Sequence, residues 1–343
     1  MKLGLVGYQG TGKSTVFQLL TGVAPDAAKV QSGQVGVAII PDSRFDRLLD
    51  YYKPKKIAPA KVELFDTPGL DRRRPENNAQ RLSVIRESAA LIQVVGVFAG
   101  EDPQTEISSF SDELVLADLQ IVANRIERLK KDVVKPRPDR EELQLELDAL
   151  LPLVDVLQAG NSLMDFELTE PQEKAVQSFA LLTRKNRLVV LNTADSSYPI
   201  EQIPAAEAVD CAVIAAPMGL ELELQALPDD ERDMFAEELG LTESSRDRLL
   251  RTIFEVTDRI TFYTSCEKEV HAWLLKRGAT VLQAADSIHS DLSRGFVRAE
   301  IWSADDLLRL GSERELKAQG LNHVEGKEYV VQDGDEIFVR SGI

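Results

Sequence analysis

A short glycine-rich segment near the N-terminus has the residue types and spacing needed to hold phosphate groups. Residues 7–14 read Gly-Tyr-Gln-Gly-Thr-Gly-Lys-Ser, between an apolar run at 3–6 and a helix-like pattern that begins at Thr15. In such a loop the backbone N–H groups surround a pyrophosphate, the lysine reaches the β- and γ-phosphates, and the serine hydroxyl binds Mg²⁺. The pattern predicts a site for a Mg²⁺-bound nucleoside triphosphate, with Lys13 as the catalytic cation.

A second motif follows the apolar run Val62-Glu63-Leu64-Phe65, where Asp66-Thr-Pro-Gly69 ends a predicted strand. In P-loop switch proteins this aspartate holds Mg²⁺ and the glycine amide senses the γ-phosphate. We therefore predict Ser14 and Asp66 as the metal-binding residues. Leu70 occupies the position where many such proteins carry a water-orienting glutamine, and its side chain cannot hydrogen-bond. Hydrolysis is therefore expected to be slow, unless another group positions the water.

A basic stretch, Asp71-Arg72-Arg73-Arg74-Pro75, comes directly after Leu70. Charge runs of this kind usually form a solvated loop, and that is the prediction here. The alternative is that one of these arginines acts within the same chain at the γ-phosphate.

A third motif follows the apolar run 187–191 and predicts where the base binds. Asn192-x-x-Asp195 resembles the base-reading Asn-Lys-x-Asp motif, with Thr193 in the lysine position. A carboxylate at 195 can accept from the two donors of guanine, so ATP and GTP both stay open. The last predicted strand, 213–216, ends against the base. The predicted nucleotide-binding residues are Gly7, Gln9, Gly10, Thr11, Gly12, Lys13, Ser14, Thr15, Gly69, Asn192, Asp195, Ala215 and Ala216.

Composition limits the classes of function. The chain has 343 residues, a formal net charge of −17 and 43% hydrophobic residues, as expected for a globular protein of two or three domains. No apolar run is long enough for a membrane helix, and the two cysteines suggest neither a disulfide framework nor a metal site. So acidic a chain does not favour general nucleic-acid binding or DNA sequence readout. We expect a cytoplasmic protein, since the N-terminus enters a strand at once.

The elements that hold these motifs alternate between strand and helix patterns, which predicts an α/β domain with a doubly wound, mainly parallel sheet. We place this P-loop domain at residues 1–118 and 185–258. Between them, leucines and valines spaced by three and four on both sides of Lys135-Pro-Arg-Pro138 predict an inserted antiparallel helical hairpin, residues 119–184. The hairpin tip is basic and predicts a solvated surface or, alternatively, an RNA or ribosome contact. Its cations are Arg128, Lys130, Lys131, Lys135, Arg137 and Arg140.

The pattern changes again near residue 259, where a small mixed β domain begins and continues to residue 343. We predict strands at 260–264 and 295–302, and helices at 269–277 and 281–289. Residues 328–332 and 336–340 are predicted to pair as a hairpin around Asp-Gly-Asp.

Nearly the whole chain resembles the YchF family of Obg-related GTPases. The resemblance is carried by the phosphate loop, by Ala117-Asp118-Leu119 in the helical insert, and by two C-terminal segments, 294–300 and 329–335. It implies that the C-terminal domain is a TGS domain with a β-grasp fold. It also implies a nucleotide-hydrolysing switch that associates with ribosomes, a hydrophobic residue at the Leu70 position and a preference for ATP.

The chain departs from this family at three places. The family usually has a threonine that ligates Mg²⁺ in the first switch, and that position falls near Val30 in this chain. Residues 71–75 stand in place of the family's glycine-rich second switch. Asp195 stands where the family has glutamate. We therefore predict a slow GTPase or ATPase whose loops near 25–40 and 69–80 switch on hydrolysis. The alternative is a module that binds nucleotide or ribosomes without turnover. A metabolic P-loop kinase is disfavoured, because no acceptor-substrate motif is visible.

Overall fold

The structure is a computed structural model that describes residues 1–29, 32–100, 102–195, 211–239 and 244–342. By their contacts, residues Met1–Gly36 and Glu63–Arg246 form one compact unit, and residues Val37–Val62 and Asp247–Ile343 form a second. No helix in the described ranges is long and apolar enough to cross a membrane.

Strands and helices of the described residues are numbered in chain order. The strands are β1 (Lys2–Val6), β2 (Gln34–Ile39), β3 (Lys56–Ala58), β4 (Lys61–Asp66), β5 (Ala90–Gly96), β6 (Arg187–Asn192), β7 (Ala212–Ala216), β8 (Arg259–Ser265), β9 (Glu269–Lys276), β10 (Phe296–Ser303), β11 (His323–Glu325) and β12 (Asp335–Ser341). The helices are α1 (Lys13–Thr21), α2 (Ser43–Tyr52), α3 (Asn78–Ile85), α4 (Pro103–Asp132), α5 (Arg140–Gln158), α6 (Glu170–Val176), α7 (Met218–Gln225), α8 (Asp229–Glu238), α9 (Ser245–Val256), α10 (Val281–Ile288), α11 (Ser290–Arg294), α12 (Ala304–Leu310) and α13 (Glu313–Ala318).

The first sheet has the strand order β2-β4-β1-β5-β6-β7, and its pairs β1–β4, β1–β5, β5–β6 and β6–β7 are parallel. Strands β5 and β6 are almost wholly buried, as expected for strands covered on both faces. Because the carboxyl ends of parallel strands share one edge, the segments after β1, β4, β6 and β7 lie together. The predicted doubly wound α/β fold is confirmed.

The predicted helical hairpin is also confirmed, as α4 and α5 joined by residues 133–139. A separate apolar core holds it together, because residues spaced by three and four on each helix are buried against the other helix. At the tip, Lys135 pairs with Asp132 at 2.9 Å and Arg137 with Asp139 at 2.8 Å, so part of the basic charge is neutralised locally.

The second unit contains a sheet with the order β11-β10-β12-β8-β9-β3. The helix predicted at 269–277 is wrong, because these residues form β9, antiparallel to β8 from Arg259↔Lys276 to Ser265↔Val270. Pairing with β8 overrides the local helix-like pattern, and His271 stacks on Trp273 in the strand rather than lying on a helix.

The predicted 328–340 hairpin is wrong as well. Of its two strands only β12 forms, and it pairs with β10. Residue Val330 makes an isolated bridge to Thr280 instead.

Residues 37–62 belong to the second unit, although in the sequence they lie between the two segments of the first unit. Strand β3 adds to the C-terminal sheet beside β9, with Lys56 opposite Glu269. Helix α2 is attached to the same sheet by side-chain hydrogen bonds: Tyr263 donates to Asp42 at 2.5 Å and Tyr52 donates to Glu336 at 2.7 Å. The division into three domains with the predicted limits stays a prediction.

Candidate functional site

A cleft of about 240 Å³ lies at the carboxyl edge of the first sheet. The predicted residues that line it are Gln9, Gly10, Lys13, Ser14, Asp66 and Gly69. The lining also includes residues that were not among the predicted site residues: Pro25, Asp26, Lys29, Gln34, Thr67, Pro68 and Arg81. The first two motifs, which lie 52 residues apart at Ser14 and Asp66, therefore meet in one cleft.

The Lys13 ammonium lies at the centre of the phosphate loop. Its Nζ donates to the Tyr8 carbonyl at 2.5 Å, and the Thr11 hydroxyl donates to the same carbonyl at 3.1 Å. Burial lowers the pKa of Lys13 to about 8, while Asp66 and Glu106 oppose this shift and the cation of Arg81 adds to it. A buried ammonium bound to one neutral oxygen is poised to bind an anion, because a phosphate supplies the charge that burial leaves uncompensated.

Gly12 shows how the third motif supports the first. The Asn192 amide Nδ2 donates to the Thr11 carbonyl at 3.2 Å, and both side chains are buried. A Cβ built on Gly12 would overlap that amide nitrogen, and the Gly12 φ is +92°. Only glycine fits there, so the loop and the end of β6 are packed as one piece.

Ser14 and Asp66 form the pair predicted to hold Mg²⁺. The Ser14 hydroxyl donates to Asp66 Oδ2 at 2.7 Å, and burial raises the pKa of Asp66 while Ser14 and Lys13 oppose the rise. Within the described residues, Asp66 Oδ1 is buried without a hydrogen-bond partner. A hydroxyl and an orphaned carboxylate oxygen, on two residues that line the cleft, fit Mg²⁺, which prefers oxygen ligands and usually takes one or two carboxylates from protein.

Gly69 touches both Lys13 and the phosphate loop. A Cβ on Gly69 would lie 2.6 Å from Lys13 Nζ and 2.9 Å from the Gln9 backbone nitrogen. The loop is fixed here by two backbone bonds, from Leu70 N to Gly7 O at 2.9 Å and from Gln9 N to Leu70 O at 3.0 Å. The side chain of Leu70 has no exposed area and packs in a core with Val6, Ile85 and Phe110 among others. It therefore fills the core and, among the described residues, is not one of those that line the cleft.

Exchanging Leu70 for glutamine is expected to destabilise the protein without accelerating hydrolysis. The amide would be buried among apolar side chains, which costs about 2–4 kcal/mol of unfolding free energy. Urea unfolding measures the loss, and Leu145→Gln, at a leucine that is 66% exposed, is the control with little expected change. Faster hydrolysis of tenfold or more in Leu70→Gln would show that this side chain reaches the cleft.

The basic stretch after Leu70 is not directed at the cleft. Arg72 forms an ion pair with the buried Glu106 at 2.9 Å, and its guanidinium lies 4.3 Å from the centroid of the Tyr8 ring. Arg73 and Arg74 are exposed, as the solvated-loop prediction requires. Among the described residues, the arginine that lines the cleft is Arg81, on α3. No sequence motif contains Arg81. The signal available in the sequence is its spacing of three from Asn78, which places both residues on one face of a helix.

The residues predicted to bind the base lie at the neighbouring strand ends. Asn192 is opposite Ala216 in the β6–β7 pair, and the Thr193 nitrogen donates to the Ala216 carbonyl at 3.0 Å. The Thr193 hydroxyl donates to the backbone carbonyl of Asp195 at 2.7 Å, and this closes the turn where the related motif has lysine. Asp195 is exposed at the end of the strand. Thr15 and Ala215 lie on α1 and β7 beside this edge, whereas Val30 is outside the described residues.

Comparisons with known proteins agree with this architecture. A family profile described as "50S ribosome-binding GTPase" matches residues 2–134, and one named YchF-GTPase_C, described as a protein of unknown function, matches residues 259–341. The "Ribosome-binding ATPase YchF" of Bacillus subtilis is 32% identical over 366 aligned positions, covering 99% of both chains. The chain belongs to the YchF family. The resemblance noted from its motifs is thereby confirmed.

Other YchF relatives extend the match across species. The "Ribosome-binding ATPase YchF" of Escherichia coli O157:H7 is 31% identical and covers 97% of both chains, and the "Obg-like ATPase 1" of Caenorhabditis elegans is 29% identical over 99% of this chain and 92% of its own. The solved YchF GTPase of Schizosaccharomyces pombe superposes with a TM-score of 0.81 at 24% identity, covering 99% of this chain and 97% of its own. That likeness supports the fold.

Proposed function

We propose that this YchF protein is a nucleotide-hydrolysing switch that associates with ribosomes and acts slowly on ATP or GTP. The observation that carries the proposal is the meeting of Lys13, Ser14, Asp66 and Gly69 in one cleft. The names of the relatives, ribosome-binding ATPases, support the partner and the reaction. We place the protein in the cytoplasm on the same grounds.

Each residue has a defined part in this proposal. Lys13 contacts the β- and γ-phosphates, Ser14 and Asp66 hold Mg²⁺, and the Gly69 amide contacts the γ-phosphate. Bound Mg²⁺ would neutralise charge on the β- and γ-phosphate oxygens. The turn at Asn192 and Asp195, with Ala215 and Ala216 beneath it, receives the base. The loop near 69–80 changes with the γ-phosphate, because its backbone is bonded to the phosphate loop through Leu70.

The competing function is a binding module without turnover. Leu70 favours it, because the side chain that orients water in related switches is replaced by a buried apolar group. The exposed Asp195 leaves the base unassigned, since guanine offers it two donors.

Two measurements test the proposal. Calorimetric titration with non-hydrolysable ATP and GTP analogues in Mg²⁺ is expected to give micromolar or tighter binding of at least one. A single-turnover assay with excess protein is then expected to release phosphate within minutes to hours. Binding without phosphate release would establish the module instead, and absence of binding to either analogue would overturn the site.

The ribosome partner needs its own measurement. Co-sedimentation with 50S and 70S particles is expected to retain the protein, more so with a bound analogue than without. A protein that stays in the supernatant under every nucleotide condition would contradict this part of the proposal.

A further inference from the structure

We propose that Arg81 is a catalytic residue, which binds the γ-phosphate and stabilises the charge that develops during hydrolysis. The inference rests on the proposed hydrolysis and adds to it a group that the three sequence motifs do not contain.

The first observation is the position of the guanidinium. Arg81 lines the phosphate cleft, and its Nη1 donates to the Gly69 carbonyl at 2.5 Å. The Gln9 amide lies beside the guanidinium, and with its oxygen and nitrogen exchanged, the orientation that satisfies both groups, the oxygen accepts from Nη1 at 2.9 Å and Nη2 at 3.2 Å. A Cβ on Gly69 would also meet Lys13 Nζ. The guanidinium is therefore bonded to Gly69. This residue lies against Lys13 and, in the proposed function, its amide contacts the γ-phosphate.

The second observation is the charge of this group. Both hydrogen-bond acceptors of Arg81 are neutral oxygens, and no ion pair joins it to a carboxylate among the residues that the structure describes. Arg72, in contrast, is paired with Glu106, and Arg86 is paired with Asp118. A guanidinium in a phosphate cleft without a carboxylate partner is available to an anion, and its planar fork matches phosphate oxygens.

Helix α3 holds the arginine in this position. Asn78, which is 1% exposed, accepts from the Asp71 nitrogen at 2.9 Å and donates to the Asp71 carbonyl at 3.3 Å. Leu82 and Ile85, on the buried face of the same helix, pack in the core that contains Leu70. Because residues three apart lie on the same face of a helix, Arg81 is presented one turn after Asn78 toward the loop that carries Gly69.

The reaction explains why such a group is needed. The oxygen of a water bonds to the γ-phosphorus while the bond to the β–γ bridging oxygen breaks, so the nucleoside diphosphate leaves with that electron pair and a water proton is released to solvent. Negative charge shifts toward the bridging oxygen and the γ-phosphate oxygens as this happens. An arginine supplied within the chain can stabilise this charge, which Leu70 cannot do.

The test compares single-turnover hydrolysis and diphosphate binding in three variants with Mg²⁺. Arg81→Ala is expected to lower the hydrolysis rate constant by about 100- to 1,000-fold. Its diphosphate affinity is expected to change by less than about threefold, because a diphosphate does not reach the γ position. Arg81→Lys keeps the positive charge but loses the planar guanidinium. Its hydrolysis rate constant should lie between those of wild type and Arg81→Ala. Arg314→Ala, which removes an exposed arginine from α13, outside the proposed nucleotide site, should hydrolyse at the wild-type rate.

Chemical rescue separates a catalytic role from a structural one. Millimolar guanidinium chloride is expected to restore part of the rate of Arg81→Ala and to leave wild type unchanged. Equal rates in wild type and Arg81→Ala would overturn the inference while leaving the proposed hydrolysis in place. A parallel loss of diphosphate binding, an equal loss of rate in Arg314→Ala, or no rescue would also overturn it. A wild-type protein without turnover would instead refute the proposed function.

Discussion

Exchanging Lys13 for alanine is expected to weaken triphosphate binding by about 100-fold or more. The ammonium is buried at the centre of the phosphate loop, with the Tyr8 carbonyl as its hydrogen-bond partner. Removing one charged partner from a buried contact costs about 2–5 kcal/mol, and each 1.4 kcal/mol is a factor of ten in affinity. Titration calorimetry with a non-hydrolysable triphosphate measures the change.

The matched control for this prediction is Lys130→Ala, which removes the same charge from an exposed position on the helical hairpin. The control should bind as wild type does, so that a loss confined to Lys13→Ala reports a direct contact. The fold should persist in Lys13→Ala, because the lost side chain makes one hydrogen bond to a carbonyl. Triphosphate affinity within threefold of wild type would show that the loop holds phosphate elsewhere or not at all.

The second large effect is expected at Asp118, which is far from the phosphate loop in sequence. Its carboxylate has no exposed area and pairs with Arg86 at 2.6 Å. It also accepts from the Leu182 nitrogen at 3.0 Å and from the Thr183 nitrogen and hydroxyl, both at 2.8 Å. This group therefore joins α4 to the segment that returns the chain to β6.

Asp118→Ala is expected to lower the unfolding free energy of the P-loop unit by about 3–5 kcal/mol. The substitution leaves the Arg86 charge and two backbone N–H groups without their partner, and breaking a buried pair in this way is strongly destabilising. Denaturant unfolding with nucleotide absent measures the loss. Asp148→Ala, at an exposed aspartate on α5, is the control and should change stability by less than about 0.5 kcal/mol. A loss below about 1 kcal/mol in Asp118→Ala would contradict the assigned role.

Three elements show why parts of the fold could be predicted from the sequence and other parts could not. The phosphate loop is a local signal, because a few consecutive peptide units and one lysine side chain suffice to define its chemistry. The hairpin was predictable for a similar reason, since each helix carries its own apolar period. Strand β9 was not predictable, because its conformation is decided by pairing with β8 rather than by its own residues.

The candidate site could also be predicted only in part, because some of its residues are brought together by tertiary contacts. Arg72, Arg73 and Arg74 follow Leu70 closely and were the visible candidates for an arginine at the γ-phosphate. The structure directs Arg72 to Glu106 and Tyr8, and brings Arg81 to the cleft from the next helix. Contacts across many residues, such as Asn192 with the phosphate loop, follow from the strand order of the sheet, which no local pattern contains.

The sequence by itself determined the ligand class, the α/β architecture with its helical insert, and the absence of a hydrogen-bonding side chain at residue 70. Tertiary structure alone decided that Leu70 is a core residue, that Asp66 keeps one oxygen without a partner among the described residues, and that Arg81 lines the phosphate cleft. The physical reason is that local motifs encode backbone shape and side-chain chemistry, whereas burial and charge pairing depend on which distant residues the folded chain brings together.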